Sequence, residues 1–251
     1  MENGIHIALS AERLFELWGI PITNTLITSW IIMGLLIVLA FFVGRNMKLV
    51  PGKIQGMFES TFEYILGYMA ETLESKRMAE KFFPLIVTLF LFIFASNFLE
   101  FTPGIGSVGF FHGEVGHQEF TPLLRSVNTD LNVTLALAII SFLVIEITGI
   151  VVIGFLKYFK KFVNLKSVLG FFIGIIELFS EIARLISFSF RLFGNIFAGE
   201  VLILVAIAFV PLLLPVPLML FEVFVGFIQA AIFSLLTLFF IKIAITPHED
   251  H

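Results

Sequence analysis

Long apolar runs divide the chain into predicted membrane segments. The hydrocarbon core of a bilayer is about 30 Å thick, so a helix needs roughly 20 apolar residues to cross it. Runs of this kind occupy residues 25–43, 82–99 and 131–156, and polar connections separate them. The pattern predicts three membrane spans before the last third of the chain.

The apolar region at residues 168–245 is too long for a single crossing. A proline-bounded turn at residues 211–217 divides it, which predicts a hairpin of two membrane segments. At 1.5 Å per residue, a helix over residues 168–210 would be roughly 60 Å long, about twice the hydrocarbon thickness. Such an arm either breaks into two pieces or lies strongly tilted against another protein, because membrane helices tilt by about 20° on average.

The two longest polar connections have different patterns. In residues 45–81, apolar side chains recur at helical spacing with glutamates between them: Phe58, Phe62, Ile65, Leu66, Met69 and Leu73. This spacing predicts an amphipathic helix that lies either at the membrane interface or against the protein. Residues 100–130 are rich in Gly, Pro, His and acidic residues, which predicts an aqueous loop. The predicted fold is therefore an all-α polytopic membrane protein.

Composition supports one membrane domain. The chain has 251 residues, of which 59% are hydrophobic and 14% are charged, and its mean hydropathy is +1.05. Soluble domains are about half apolar and about a quarter charged. The chain contains no cysteine, which excludes disulfides and thiolate metal sites.

The distribution of lysine and arginine predicts the orientation. Basic residues are concentrated in residues 45–81 and after the third span, at Lys157, Lys160, Lys161 and Lys166. The N-terminal residues 1–24 and the loop at residues 100–130 have one each, Arg13 and Arg125. By the positive-inside rule, those two regions lie outside, and the tail at residues 246–251 lies inside.

The loop at residues 100–130 offers two weaker motifs. His112 and His117, with Glu114 and Glu119, could hold a metal ion, although ordinary loop polarity explains them equally well. The GIGSVG motif at residues 104–109 lacks the preceding strand and following helix that dinucleotide binding needs. No metal and no cofactor are predicted.

Charged residues inside the apolar hairpin indicate an ion pathway. A charge at the centre of a membrane helix costs roughly 2.5–3.5 kcal/mol or more, and such residues mark ion pathways. The first arm carries Glu177, Glu181, Arg184, Arg191 and Glu200, and the second carries Glu222 and Gln229.

Helical geometry sorts these charges into faces. Glu177, Arg184 and Arg191 follow at intervals of about two turns and share one face, which Glu181 and Asn195 join. Glu200 faces elsewhere. For Glu181 and Arg184, a simple ion pair at the inner end of the helix is the alternative interpretation. Glu146, alone in the third span, either pairs with the hairpin or faces a wet cavity.

Four stretches resemble one known family. RLFGNIFAGE (residues 191–200) is similar to the signature of subunit a of rotary ATP synthases. SNFLEFTPG (96–104), TDLNVTLALA (129–138) and FIQAAIFSLLT (227–237) are similar to its other membrane helices. Their order and spacing agree over most of the chain.

The resemblance implies a role for each matching residue. Arg191 corresponds to the essential stator arginine, which faces the carboxylate of a rotating ring of c subunits. The matching half-channel positions are Glu177, Asn195, Glu200, Glu222 and Gln229, and the polar outer entrance corresponds to Asn97, Glu100, Asp130 and Asn132. Where some relatives have a histidine in the hairpin, this chain has two acids, Glu200 and Glu222. A close carboxylate pair would share one proton.

The resemblance also implies partners and a location. It implies a non-catalytic subunit that binds the c ring, the peripheral-stalk b subunits and lipid, with no nucleic acid and no cofactor. A bacterial plasma membrane is favoured over a plastid thylakoid, and the coupling ion, H⁺ or Na⁺, stays open. The competing hypothesis is a secondary transporter with a charged midplane site, although the chain lacks the repeated halves typical of transporters.

Overall fold

Helices make up most of the described chain. The computed structural model describes residues 11–17, 19–100, 108–112, 119–160, 162, 168–211 and 213–246. In chain order the elements are β1 (Arg13–Leu17), β2 (Ile20–Thr23), α1 (Asn24–Arg45), α2 (Lys53–Leu73), α3 (Lys76–Glu100), β3 (Gly109–His112), β4 (Glu119–Pro122), α4 (Leu131–Ile153), α5 (Phe155–Lys160), α6 (Val168–Phe209) and α7 (Pro215–Ile245). Lys161, Lys166, Glu114, His117 and residues 247–251 lie outside the described residues.

Within the described residues, five helices are long and apolar enough to cross a membrane: α1, α3, α4, α6 and α7. The prediction of an all-α polytopic membrane protein is therefore confirmed. The first arm of the hairpin is one continuous helix of 42 residues. Of the two alternatives predicted for this arm, a break into two pieces is therefore wrong. Its tilt in the membrane stays a prediction.

Several helix ends differ from the predicted boundaries, and α7 begins at Pro215, inside the predicted turn at residues 211–217, because proline is tolerated in the first turn of a helix. Helix α3 begins at Lys76, inside the predicted amphipathic segment, and ends at Glu100. Helix α4 ends at Ile153, three residues before the predicted end of the third span. Gly154 follows with a φ of +94°, a left-handed conformation that glycine adopts without steric cost. The short helix α5 begins immediately after it.

The surface of α1 is inverted relative to a soluble helix. Its buried stripe is largely polar and contains Asn24, Thr25, Thr28, Ser29 and Ile32. Leu35 and Ile37 are 58% and 68% exposed. Apolar residues face outward because hydrocarbon, rather than water, is the expected surrounding.

Two short antiparallel hairpins lie outside the helices. β1 pairs with β2, and β3 pairs with β4. Gly19, in the turn between β1 and β2, has a φ of +80°. The sequence pattern predicts only an N-terminal segment and a loop there, because strands this short leave little periodicity.

The chain forms two compact units. The first comprises Met1–Lys48, Leu89–Val133 and Leu192–Ala231, and the second comprises Leu49–Thr88, Thr134–Arg191 and Ile232–His251. In the first unit, Phe90 and Phe94 each pack edge-on against Phe227, with ring centroids 5.7 Å apart.

The apolar core of the second unit contains residues from four helices: Met69, Leu73, Phe82, Ile86, Ile145, Leu238 and Ile241. The end of α2 therefore packs against the protein. Near its start, Ile54 and Met57 are 73% and 62% exposed. Packing against the protein is therefore confirmed for the end of this helix, and a position of its start at the membrane interface stays a prediction.

Candidate functional site

Arg191 lies beside a small cavity of the second unit. The cavity has a volume of about 190 Å³ and is lined by Ala183, Arg184, Ser187, Phe188, Arg191, Leu236 and Phe240. One nitrogen of the Arg191 guanidinium, Nη2, donates a hydrogen bond to Ser187 Oγ, 3.1 Å away. Among the described residues, no carboxylate lies within ion-pair distance of Arg191. The Arg191 guanidinium is a permanent cation in an apolar helix. It has five N–H donors, and the bond to Ser187 uses one of them.

Arg184, on the same cavity wall, is neutralised. Its Nη1 donates to Glu181 Oε2 at 2.6 Å, and its guanidinium lies 4.0 Å from the centre of the Phe240 ring. Glu181 is buried. The ion-pair interpretation of Glu181 and Arg184 is confirmed, and Arg191 differs from Arg184 in having no such partner among the described residues.

Two other residues of the predicted arginine face differ in exposure. Glu177 is half-buried on α6, and Asn195 is exposed on the same helix. Their roles in ion transfer stay predictions.

In the first unit, Glu200 on α6 faces the cation that precedes α4. Arg125 Nη2 lies 3.8 Å from Glu200 Oε2, and the Arg125 side chain is largely buried. The Arg125 backbone N–H donates to Thr28 Oγ1 at 3.3 Å, so this part of the chain is attached to α1. The distance from Arg125 to Glu200 is that of an ion pair rather than a hydrogen bond.

Glu222 on α7 lies directly against the backbone of α6. A Cβ placed on Gly199 would overlap the Glu222 carboxylate, so only a glycine leaves room for that group. Glu222 is 5% exposed. Among the described residues, neither Glu200 Oε2 nor Glu222 Oε2 has a hydrogen-bond partner. Two buried carboxyl oxygens without protein donors are costly as ions, which suits groups that take up and release protons.

Asn97 connects three segments of the first unit. Its amide nitrogen donates to the Gly226 carbonyl of α7 at 2.9 Å, and its Oδ1 accepts from Asn128 Nδ2 at 2.6 Å. A Cβ on Gly226 would lie 2.9 Å from Asn97 Cβ, so the helices approach closely there. Gln229, one turn further along α7, is buried.

The other predicted outer-entrance residues form hydrogen bonds within the first unit. Glu100 Oε2 accepts from Ser126 Oγ at 2.8 Å. Asp130 accepts from Thr25 Oγ1 at 2.9 Å, and its Oδ1 accepts from the Asn132 backbone N–H at 3.0 Å. The second bond caps the start of α4. The structure thus gives Asp130 a folding role, and its place in ion entrance stays a prediction.

From the sequence, Arg125 was predicted only as a marker of orientation, and no role was predicted for Ser126, Asn128 or Gly226. The available signal was a run of polar residues, RSVNTD, directly before an apolar helix. All six of its residues are buried. The metal hypothesis gains no support: His117 lies outside the described residues, and no group of three possible ligands occurs among the described ones.

Among the described residues, five long apolar helices that carry buried acids and an arginine are typical of a polytopic membrane protein. The sequence profile of the ATP synthase A chain family matches residues 26–242. ATP synthase subunit a 2 of Syntrophotalea carbinolica is 36% identical over 239 residues, which are 94% of this chain and 91% of that protein. Subunit a of Moorella thermoacetica is 32% identical over 236 residues, which are 94% of this chain and 97% of that protein. Subunit a of Campylobacter jejuni strain 81-176 is 34% identical over 215 residues, which are 86% of this chain and 87% of that protein. The chain belongs to the ATP synthase A chain family.

Proposed function

We propose that this chain is the stator ion-channel subunit of an F-type ATP synthase, in which Arg191 faces the carboxylates of a rotating c ring. The observation that carries the proposal is the state of Arg191, a half-buried cation that pairs with no carboxylate of the described residues. A cation at this depth is costly unless an anion compensates it. A carboxylate on a partner subunit supplies that anion.

Arginine is the side chain that suits this position. A ring carboxylate that crosses lipid must carry its proton, because the bare charge is expensive there. When it arrives beside Arg191, the fixed cation favours the ionised carboxylate, and the proton leaves. Since arginine stays charged throughout, it also repels a proton that would pass directly from one half-channel to the other. A half-channel here is a polar path from one membrane surface to the ring.

Buried acids of the first unit form the proposed outer half-channel. Glu200 and Glu222 take up protons in turn, and Arg125 holds a compensating charge beside Glu200. Asn97, Glu100 and Gln229 are polar groups of this unit, and Asp130 and Asn132 lie at the outer end of α4. Glu177 and Asn195 belong to the inner release path and the ring face.

Membrane placement follows the distribution of basic residues. The N-terminus lies outside and the C-terminus lies in the cytoplasm of a bacterial cell, with the chain in the plasma membrane. The peripheral-stalk b subunits hold the chain against the torque of the ring. The subunit is non-catalytic: it couples proton flow to ring rotation, and ATP synthesis takes place in the soluble sector. Each elementary charge that crosses 100 mV supplies about 2.3 kcal/mol.

Cysteine cross-linking in the assembled synthase tests the partner. The chain has no native cysteine, so Asn195→Cys, at an exposed position, introduces a unique thiol. With a second cysteine beside the ring carboxylate, oxidation is expected to join the two subunits. Ile37→Cys on α1, which is also exposed, is the control and is expected to give no cross-link. A cross-link from Ile37→Cys but none from Asn195→Cys would contradict the proposed ring face.

A further inference from the structure

Glu146 is an acidic residue of α4 that the proposed function does not use. It is half-buried within a membrane-spanning helix. The Tyr158 hydroxyl donates a hydrogen bond to Glu146 Oε2 at 2.9 Å. Tyr158 belongs to α5, which follows the span, and its side chain is 5% exposed. A buried tyrosine outside the span therefore binds a carboxylate inside the span.

Two glycines allow this contact between Tyr158 and Glu146. Gly154, with its φ of +94°, separates the end of α4 from the start of α5. At Gly149 a Cβ would overlap the Tyr158 ring and lie 3.1 Å from the Ala244 carbonyl oxygen. The ring therefore lies on the bare backbone of α4. Burial and the bond to Glu146 raise the pKa of Tyr158 above its ordinary value, so its hydroxyl stays a donor at physiological pH.

Other charges of the second unit lie within electrostatic range of this pair. Both Glu181 and Arg184 act on the Tyr158 hydroxyl, with opposite signs. Arg184 in turn shares its cavity wall with Arg191. Arg184, which pairs with Glu181, thus lines the Arg191 cavity, and both members of that pair act electrostatically on the tyrosine that donates to Glu146.

We propose that Glu146 is a proton-carrying residue of the inner half-channel and that Tyr158 positions it. The inference rests on the proposed function and adds a second inner acid to Glu177. The proton released at Arg191 reaches the Glu146 carboxylate and forms the carboxylic acid. The acid then releases that proton to water on the side of α5, which regenerates the carboxylate. Tyr158 keeps its own proton throughout.

Two substitutions at Glu146 separate proton transfer from structure. Glu146→Gln keeps the size and an acceptor for Tyr158 but cannot titrate. Glu146→Asp titrates but is too short to keep the same hydrogen bond. Passive proton conduction is measured in vesicles with the complete membrane sector after the soluble sector is removed, and is normalised to assembled complex. Conduction is expected to fall severalfold with Gln and to be better retained with Asp. Equal or better conduction with Gln would overturn the proposal.

Tyr158→Phe tests the positioning role independently of the aspartate variant. The substitution keeps the ring on Gly149 and removes only the hydroxyl. Conduction is expected to fall in the parent chain and to fall no further when Glu146→Gln is already present, because Tyr158 acts through Glu146. Independent, multiplying losses from the two substitutions would contradict that role.

Controls separate this inference from the proposed function. Glu80→Gln, at an exposed acid of α3, is expected to conduct like the parent chain. Glu222→Gln in the same vesicles reports on the outer half-channel. If Glu222→Gln slows conduction and Glu146→Gln does not, the inner role of Glu146 fails and the stator function stands. If neither variant changes conduction, the half-channel assignment itself fails.

Discussion

The carboxylate of Glu222 occupies the space that a side chain at position 199 would need. This relationship gives Gly199 a role that helix flexibility does not explain, since the residue lies inside the continuous helix α6. The glycine lets an acid of α7 lie against the backbone of its neighbour, where it is almost completely buried. The acid and the glycine therefore form one site.

Substitution of Gly199 tests this site. Gly199→Ala adds one methyl group, which cannot fit unless the Glu222 carboxylate moves. ATP-driven proton uptake by inverted vesicles is expected to fall severalfold, with a smaller change in the amount of assembled complex. Gly34→Ala in α1, where a Cβ meets no atom within 4 Å, is the matched control. Unchanged uptake with Gly199→Ala would show that the position of the Glu222 carboxylate does not matter.

Arg125 and Glu200 are expected to act as a pair. Arg125→Gln removes the cation beside Glu200 and should slow proton uptake, whereas Arg125→Lys, which keeps a charge, should slow it less. In a chain that already carries Glu200→Gln, the loss from Arg125→Gln should be smaller. Contacting residues commonly couple by about 0.5–3 kcal/mol, so the double-mutant cycle is measurable. Strictly independent effects of the two substitutions would argue against the pair.

Much of this arrangement follows from the sequence, for identifiable reasons. The five spans are predictable because about 20 consecutive apolar residues leave few alternatives in a bilayer. Arg191 was found because a cation is conspicuous in such a run. The partnership of Arg125 with Glu200 was not predictable, because 75 positions separate them and only tertiary structure brings them together.

The side chains opposite the glycines were not predictable for another reason. Glycine is frequent in membrane helices, so Gly149, Gly199 and Gly226 look alike in the sequence. The tertiary structure distinguishes them by the side chain that lies against each glycine. Tyr158 lies against Gly149, Glu222 against Gly199, and Asn97 against Gly226. The end of α4 was placed too late because the apolar run continues past Gly154, and a single left-handed residue does not interrupt hydropathy.

Gly154 also gives a prediction about stability. Gly154→Ala forces a side chain into a left-handed conformation, which costs roughly 1–2 kcal/mol. The thermal midpoint of the detergent-solubilised subunit is expected to fall. Gly67→Ala lies inside α2 with no atom within 4 Å of the added Cβ, so it should leave the midpoint unchanged or raise it, because alanine favours helices. A midpoint that does not fall with Gly154→Ala would mean that the turn tolerates another conformation.

The central claim concerns Arg191, and the most direct measurement compares two kinds of proton flow in one vesicle preparation carrying Arg191→Ala. ATP-driven uptake is measured first, and passive conduction is measured after the soluble sector is removed. The account predicts no ATP-driven uptake, retained passive conduction, and continued ATP hydrolysis by the soluble sector once it is released. ATP-driven uptake at the parent rate with Arg191→Ala would contradict the account.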